Sequence, residues 1–324
     1  GGGVWGGGGG RVVVEAQDRS GYAGVLRAYG AWPAGSAGTV YVRKAGEEYG
    51  TLMVDNAGFG PVSGAVEFVN EGPEKLVIGD AVVVKGYGRM LTRGLVEYGH
   101  DVSLELGGLW RVEGMGVGVS GSLTFSGRGE VEVVESLAVA SEVAMSGGVL
   151  RGGRIQAAGM TLANNAVATS FGATTTAVHK LELEVTGTVT VDASSTIDVS
   201  GKGYLAGRTK GNTTEGGAEG SAGGSYGGQA GCDANGQCSN RAYGEYWEAD
   251  EWGSGGGGPA GGAGGGLVRI KAGRMVVNGW VVASGQNGSG DSGGGSGGGI
   301  DIRVTGVFEG AGHVEAFGGG GGSG

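Results

Sequence analysis

The chain has 324 residues, a net charge of −10 and no Lys/Arg cluster, which argues against nucleic acid as a partner because phosphate-backbone binding needs such a cluster. Its longest apolar runs, such as Ala81–Val84, fall far short of the roughly 20 residues that cross a bilayer, so no membrane span is expected. Glycine at 83 residues, with four prolines, reaches the range of low-complexity chains. The glycines, however, sit in blocks between Val-, Ile-, Leu- and Thr-rich segments that alternate with period two, and this predicts ordered β structure.

The first element is Gly10–Ala16, followed by Gly24–Gly30. Together they define a template: glycine, a short alternating strand, a spacer, then Gly-x-apolar-x-Ala-x-Gly. Relatives of it lie at 38–45 with 50–56, at 266–272 with 279–285, and at 299–306 with 312–318. A shorter relative covers 186–192 with 195–201. Periods of roughly 20 to 50 residues mark solenoids, propellers or arrays. Between these relatives, short strands are expected at 65–70, 75–80, 81–85, 102–106, 109–113, 122–125, 130–135, 137–140, 154–157 and 180–185, in coils of roughly 20–25 residues. No stretch carries helical periodicity with caps.

Each such unit offers one apolar stripe that it cannot bury alone, and stacking like strands on one another closes a shared core. The expected fold is therefore all-β, a right-handed parallel β-helix or solenoid with Gly-rich turns and one long inserted loop. A β-sandwich is the competing reading. Residues 1–201 and 264–324 are expected to form the solenoid domain, with 202–263 as the Gly-rich insertion. The glycine runs themselves are candidates for extended three-residue-per-turn helices packed side by side. Gly318–Gly324 reads as if it continued into Gly1–Gly10, as in one period of a longer repetitive polymer. Neither a signal peptide nor an initiator Met is visible, so the chain reads as a mature product or a fragment.

Cys232 and Cys238 are the only cysteines. Two thiols cannot complete a structural zinc site, so a small disulfide loop and an extracellular location are expected. Asp233, Asn235 and Gln237 place oxygen ligands at alternate positions, a candidate calcium site lacking the bidentate acid that such loops need further on. Asn212 and Asn287 begin glycosylation sequons. Tyr243, Tyr246, Trp247, Glu248, Asp250, Glu251 and Trp252, with Glu245, form an acidic-aromatic stretch. It is read as an anchor or interface, with glycan binding or acid-base catalysis as sharper alternatives. His100, His179 and His313 have no metal-like or triad-like spacing, and the Gly-x-Gly-x-x-Gly matches are chance in so glycine-rich a chain. No catalytic residue and no cofactor other than candidate calcium is expected.

The order Thr196–Tyr204, Gly223–Gly228, Gly262–Ile270, Val281–Gly288, Gly8–Val14, Ala37–Lys44 and Gly50–Asn56 resembles the glycine-rich repeats of very large secreted or surface-anchored bacterial proteins. The resemblance covers 1–60 and 180–324 well, and 60–180 only in general character. It implies a parallel β-solenoid at the cell surface and carries over no catalytic residue. The function expected from these features is a non-enzymatic structural repeat unit of an extracellular filament, sheath, stalk or adhesin. It would assemble end to end through its edges, with copies of itself or adjacent tandem repeats as partners. The alternative is a carbohydrate-binding or polysaccharide-cleaving β-helix acting on surface polysaccharide.

Overall fold

The computed structural model describes residues 6–33, 35–60 and 64–322; the outermost residues of the expected seam, Gly1–Trp5 and Ser323–Gly324, lie outside them. Among the described residues there is no helix, and the strands form a large, mostly parallel sheet. No helix is therefore long and apolar enough to cross a membrane. Two compact units divide the chain, one of residues 1–150 with 154–166 and one of 151–153 with 167–324. The second unit contains the stretch 202–263, which carries no named strand.

In the first unit, β1 (Arg11–Ala16) pairs in parallel with β2 (Thr39–Lys44), and β3 (Thr51–Asp55) then turns back. Next come β4 (Val66–Asn70), β5 (Leu76–Ile78), β6 (Ala81–Lys85), β7 (Arg89–Gly94) and β8 (Val96–Tyr98). They are followed by β9 (Val102–Glu105), β10 (Leu109–Glu113), β11 (Val117–Val119) and the long run β12 (Leu123–Ala163). The registers show a coil of three strands. Val82 on β6 faces Val102 on β9, which faces Leu123 on β12. Met90, Trp110 and Val131 form a second column, and Tyr98 and Val119 continue to Val139 in a third.

Alternation turns every second residue into these columns, where Val82, Leu104, Trp110, Val131 and Leu137 have no measurable exposure. Each large side chain removed from water in this way contributes about 1.5–3 kcal/mol. The parallel registers are not those of an antiparallel sandwich. Three strands of this unit escape the sequence reading: β7, β8 and β11. β8 and β11 are three residues long, too short to display a period, and the inward Thr92 interrupts the apolar alternation of β7.

One pairing corrects the expected template. Segments 38–45 and 50–56 are not two separate strands of one unit that stack only on like strands of neighbouring units. β2 and β3 are antiparallel, with Val40 opposite Met53 and Val42 opposite Thr51. The link between them, with Gly46 at φ 87°, is short enough to close a hairpin, whereas adjoining strands that pair in parallel need a crossover of a dozen residues or more.

The second unit contains β13 (Val167–Thr169), β14 (Lys180–Val191), β15 (Thr196–Asp198), β16 (Leu267–Val277) and β17 (Trp280–Val282), then β18 (Gly299–Val304), β19 (Phe308–Glu309) and β20 (His313–Glu315). β16 lies on β14 in parallel across the whole intervening loop, Leu183 facing Ile270 and Val189 facing Met275. β18 and β19 then stack on β16, and β20 on β17.

The polar node of the first unit's core is Thr92. Its hydroxyl accepts from Trp110 Nε1 at 2.9 Å and bonds the Tyr98 hydroxyl, all three side chains being buried. Burial holds the Tyr98 phenol well above its ordinary range, against the smaller opposing effect of the Thr92 bond. Thr92→Val leaves the buried Trp110 Nε1 donor without its acceptor and removes a partner of the Tyr98 hydroxyl, which keeps only the weak Met90 sulfur, and is expected to lower the unfolding free energy by about 1–3 kcal/mol in urea denaturation. Adding Tyr98→Phe should recover part of that loss. An unchanged midpoint for Thr92→Val would remove the node's role.

Candidate functional site

The second unit has two distinctive assemblies, a bundle of glycine segments and the loop seated on it. At the centre of the bundle, residues 293–299 are all glycine but Ser296. Most of the run has no strand assignment, yet its residues turn a backbone N–H, or the side where a Cβ would stand, toward neighbouring segments. Gly293 and Ser296 donate to Gly257 and Ser254 carbonyls, both at 2.9 Å. Gly295 and Gly298 donate to Gln286 at 2.9 Å and Ala283 at 2.7 Å. A Cβ on Gly294 or Gly297 would overlap the carbonyl oxygen of Gly319 or Ala316. Neighbours thus recur every third residue, the period of an extended polyproline-II-type helix that has no internal hydrogen bonds.

The same period appears next door. Gly262 and Gly265 donate to Gly293 and Ser296 at 2.9 Å, while Gly253 and Gly256 donate to Gly265 and Gly262 at the same length. Most of these residues are buried although they have no side chain to bury. What fills the space is backbone. A Cβ on Gly262, Gly264, Gly293 or Gly295 would fall on a neighbouring carbonyl oxygen, far inside the 3.0 Å that real Cβ atoms keep.

The acidic-aromatic stretch divides in two. Its inward half anchors the loop: the Tyr243 hydroxyl donates to the Trp252 carbonyl at 2.5 Å and accepts from Ser254 Oγ at 3.0 Å. Trp252 Nε1 donates to the His179 carbonyl at 2.8 Å. Glu251 accepts from the Tyr204 hydroxyl at 3.1 Å and pairs with Lys210 at 3.3 Å. The outward half faces solvent. Tyr246 is 96% exposed and Trp247 66%, their rings edge to face at 4.6 Å. Glu248 reaches Arg303 at 3.4 Å, its backbone bridges Glu245, and Asp250 is exposed.

Cys232 and Cys238 form a disulfide. Inside it, Asp233 accepts backbone N–H groups from Asn235 and Gln237 at 2.9 Å and from Ser221 at 3.2 Å. These amide bonds, that from Ser221 foremost, hold its carboxyl below the usual range. Asn235 and Gln237 thus meet Asp233 through their backbone, and among the described residues no three His, Cys, Asp or Glu side chains gather as a metal group would. Asn212 donates from Nδ2 to the Thr174 carbonyl at 3.1 Å, and Asn287 Oδ1 accepts from Gly320 N–H at 2.7 Å.

The three histidines lie apart, each against an aromatic ring: His100 on Tyr49, His179 on Phe171, and His313 stacked on Trp280 at 4.0 Å. The sequence reading missed the partners of the anchor, Tyr204, Ser254 and Lys210. A buried serine in a glycine run was the available signal. The chain matches no protein-family model, no curated protein and no solved structure.

Two outcomes test this geometry. Gly295→Ala is expected to destabilise the second unit by about 1–3 kcal/mol or more through backbone overpacking, whereas Gly227→Ala, whose Cβ meets nothing within 4 Å, should leave thermal unfolding unchanged. Equal effects would contradict the bundle. Burial first, and then the Glu251 charge, push the Tyr204 phenol up to about 12; burial likewise raises Tyr243. A raised phenol stabilises the fold fully below its unfolded value of about 10, and that contribution is lost as pH climbs through about 12. Tyrosinate absorbance should therefore show these groups ionising together with loss of the loop's structure; ionisation near the ordinary value with the loop intact would contradict the anchor.

Proposed function

We propose that the chain is a right-handed parallel β-solenoid serving as a non-enzymatic structural unit of an extracellular filament, sheath, stalk or adhesin, joined end to end through its strand edges. One observation carries this reading: the coil columns are uncovered at both edge coils. Val40 and Val42 on β2 are 2% and 3% exposed, whereas Val12 and Val14 on β1 are only half-buried. Val281 on β17 is fully buried, whereas Val314 on β20 is 44% exposed. Exposed, regular strand edges are sites of strand addition unless something blunts them, and a filament uses that tendency. The disulfide is compatible with an oxidising exterior, and the net charge of −10 would keep assembled units apart laterally and favour divalent cations, calcium included, between them.

The exposed Tyr246–Trp247 pair supports a second reading, in which the anchored loop binds surface polysaccharide by stacking on sugar rings. Cryo-electron microscopy of the concentrated chain separates the two. Continuous filaments with one axial repeat per chain are expected; discrete monomers with glycan density against Tyr246 and Trp247 would overturn the structural reading.

A further inference from the structure

The edge coil at the start of the described chain and the one at its end have the same construction. Without insertion or deletion, Gly294–Gly319 superposes by position on Gly6–Ala31. The correspondence is structural as well as textual. A Cβ on Gly6 would overlap the Ala31 carbonyl and one on Gly9 that of Ala28, just as Gly294 meets Gly319 and Gly297 meets Ala316. Ala31 donates its N–H to the Gly7 carbonyl at 2.9 Å, and Gly319 donates to Gly295 at 2.8 Å. Ile300, Ile302 and Val304 hold the inward positions of Val12, Val14 and Ala16, and Val314 and Ala316 those of Leu26 and Ala28.

Each coil is therefore shaped to continue the other's series. β1 pairs with β2 on one side only, and β18 and β20 pair only with β16 and β17 among the described residues. Three pairs of outward residues are complementary. In the positions that would lie one above the other, Arg303 meets Glu15, Glu315 meets Arg27, and Phe317, 61% exposed, meets Tyr29, 41% exposed. Glu15 already pairs with Arg43 in the next strand of its own column, so the column would alternate in sign across the junction. Between the paired segments, 305–312 and 17–24 are of equal length, so β18 meets β1 and 313–318 meets the extended segment 25–30 in register at once.

We propose that the 299–318 edge of one copy receives the 11–30 edge of a second copy in parallel, Ile302 on Val14 and Val314 on Leu26. Arg303–Glu15 and Glu315–Arg27 then select the register. The proposal rests on the end-to-end reading above and specifies its partner. The contact is heterologous, so it propagates unless the rotation closes a ring. In each resident coil the alanine carbonyl of the Ala-x-Gly turn accepts a glycine N–H from the next coil, Gly38 to Ala28 at 2.6 Å and Gly298 to Ala283 at 2.7 Å. The Ala316 carbonyl is the next acceptor in that series, and Gly10 of the second copy is its donor.

Sedimentation velocity of the full chain over a concentration series tests this. Wild type is expected to self-associate, and Arg27→Glu or Glu315→Arg to weaken association roughly five- to tenfold by placing like charges face to face. Both reversals in one chain, or an equimolar mixture of the two single variants, should restore it, with circular dichroism unchanged throughout. Association indifferent to both reversals would overturn the register while leaving end-to-end assembly standing. A wild-type chain that stays monomeric at every concentration would overturn the assembly itself.

Discussion

Carbonyl oxygens occupy the places where Cβ atoms of Gly262, Gly264, Gly293 and Gly295 would be, and the second unit depends on that approach. Ordinary cores are filled by interlocking side chains. Here the filling is main chain, each segment hydrogen-bonded to different neighbours at successive residues. Any L-residue would push two backbones apart and break the bonds on both. Glycine is costly in entropy, by roughly 0.5–1 kcal/mol relative to alanine in regular structure, and the bundle offsets that cost by satisfying main-chain donors and acceptors on several sides at once.

The first unit meets the same requirement differently. Its columns are side chains, Val82 through Val102 to Leu123 and Met90 through Trp110 to Val131, with Thr92 as a polar tie. The long loop of the second unit then becomes intelligible. Tyr204, Tyr243, Trp252 and Ser254 supply, at the bundle's margin, the aromatic and hydroxyl groups that the glycines lack, and the disulfide-closed turn is held by Asp233. Rigid anchoring at its base leaves Tyr246 and Trp247 displayed at its tip.

Much of this was legible in the chain. Period-two segments such as Leu267–Ala272 and Gly299–Val304 declare one buried stripe each, and glycine-dominated blocks of six or more residues declare segments without side-chain packing. The disulfide followed from two cysteines in a short polar loop. The antiparallel return of β3 was not legible, because 50–56 carries the same glycine-first alternation as the parallel segments. Nor was the division of 243–252. Which aromatic turns inward is decided by the His179 carbonyl and Ser254, partners that local sequence does not name.

Amide hydrogen exchange measured along 253–266 and 293–299 tests the central claim most directly. If glycine backbones form the core of the second unit, the N–H groups of Gly256, Gly262, Gly265, Gly293, Gly295 and Gly298 should exchange as slowly as those of β16, and Gly227 and Gly228 quickly. Rapid exchange across the glycine runs, with β16 still protected, would show that they are connecting chain and that the strands alone hold the unit together.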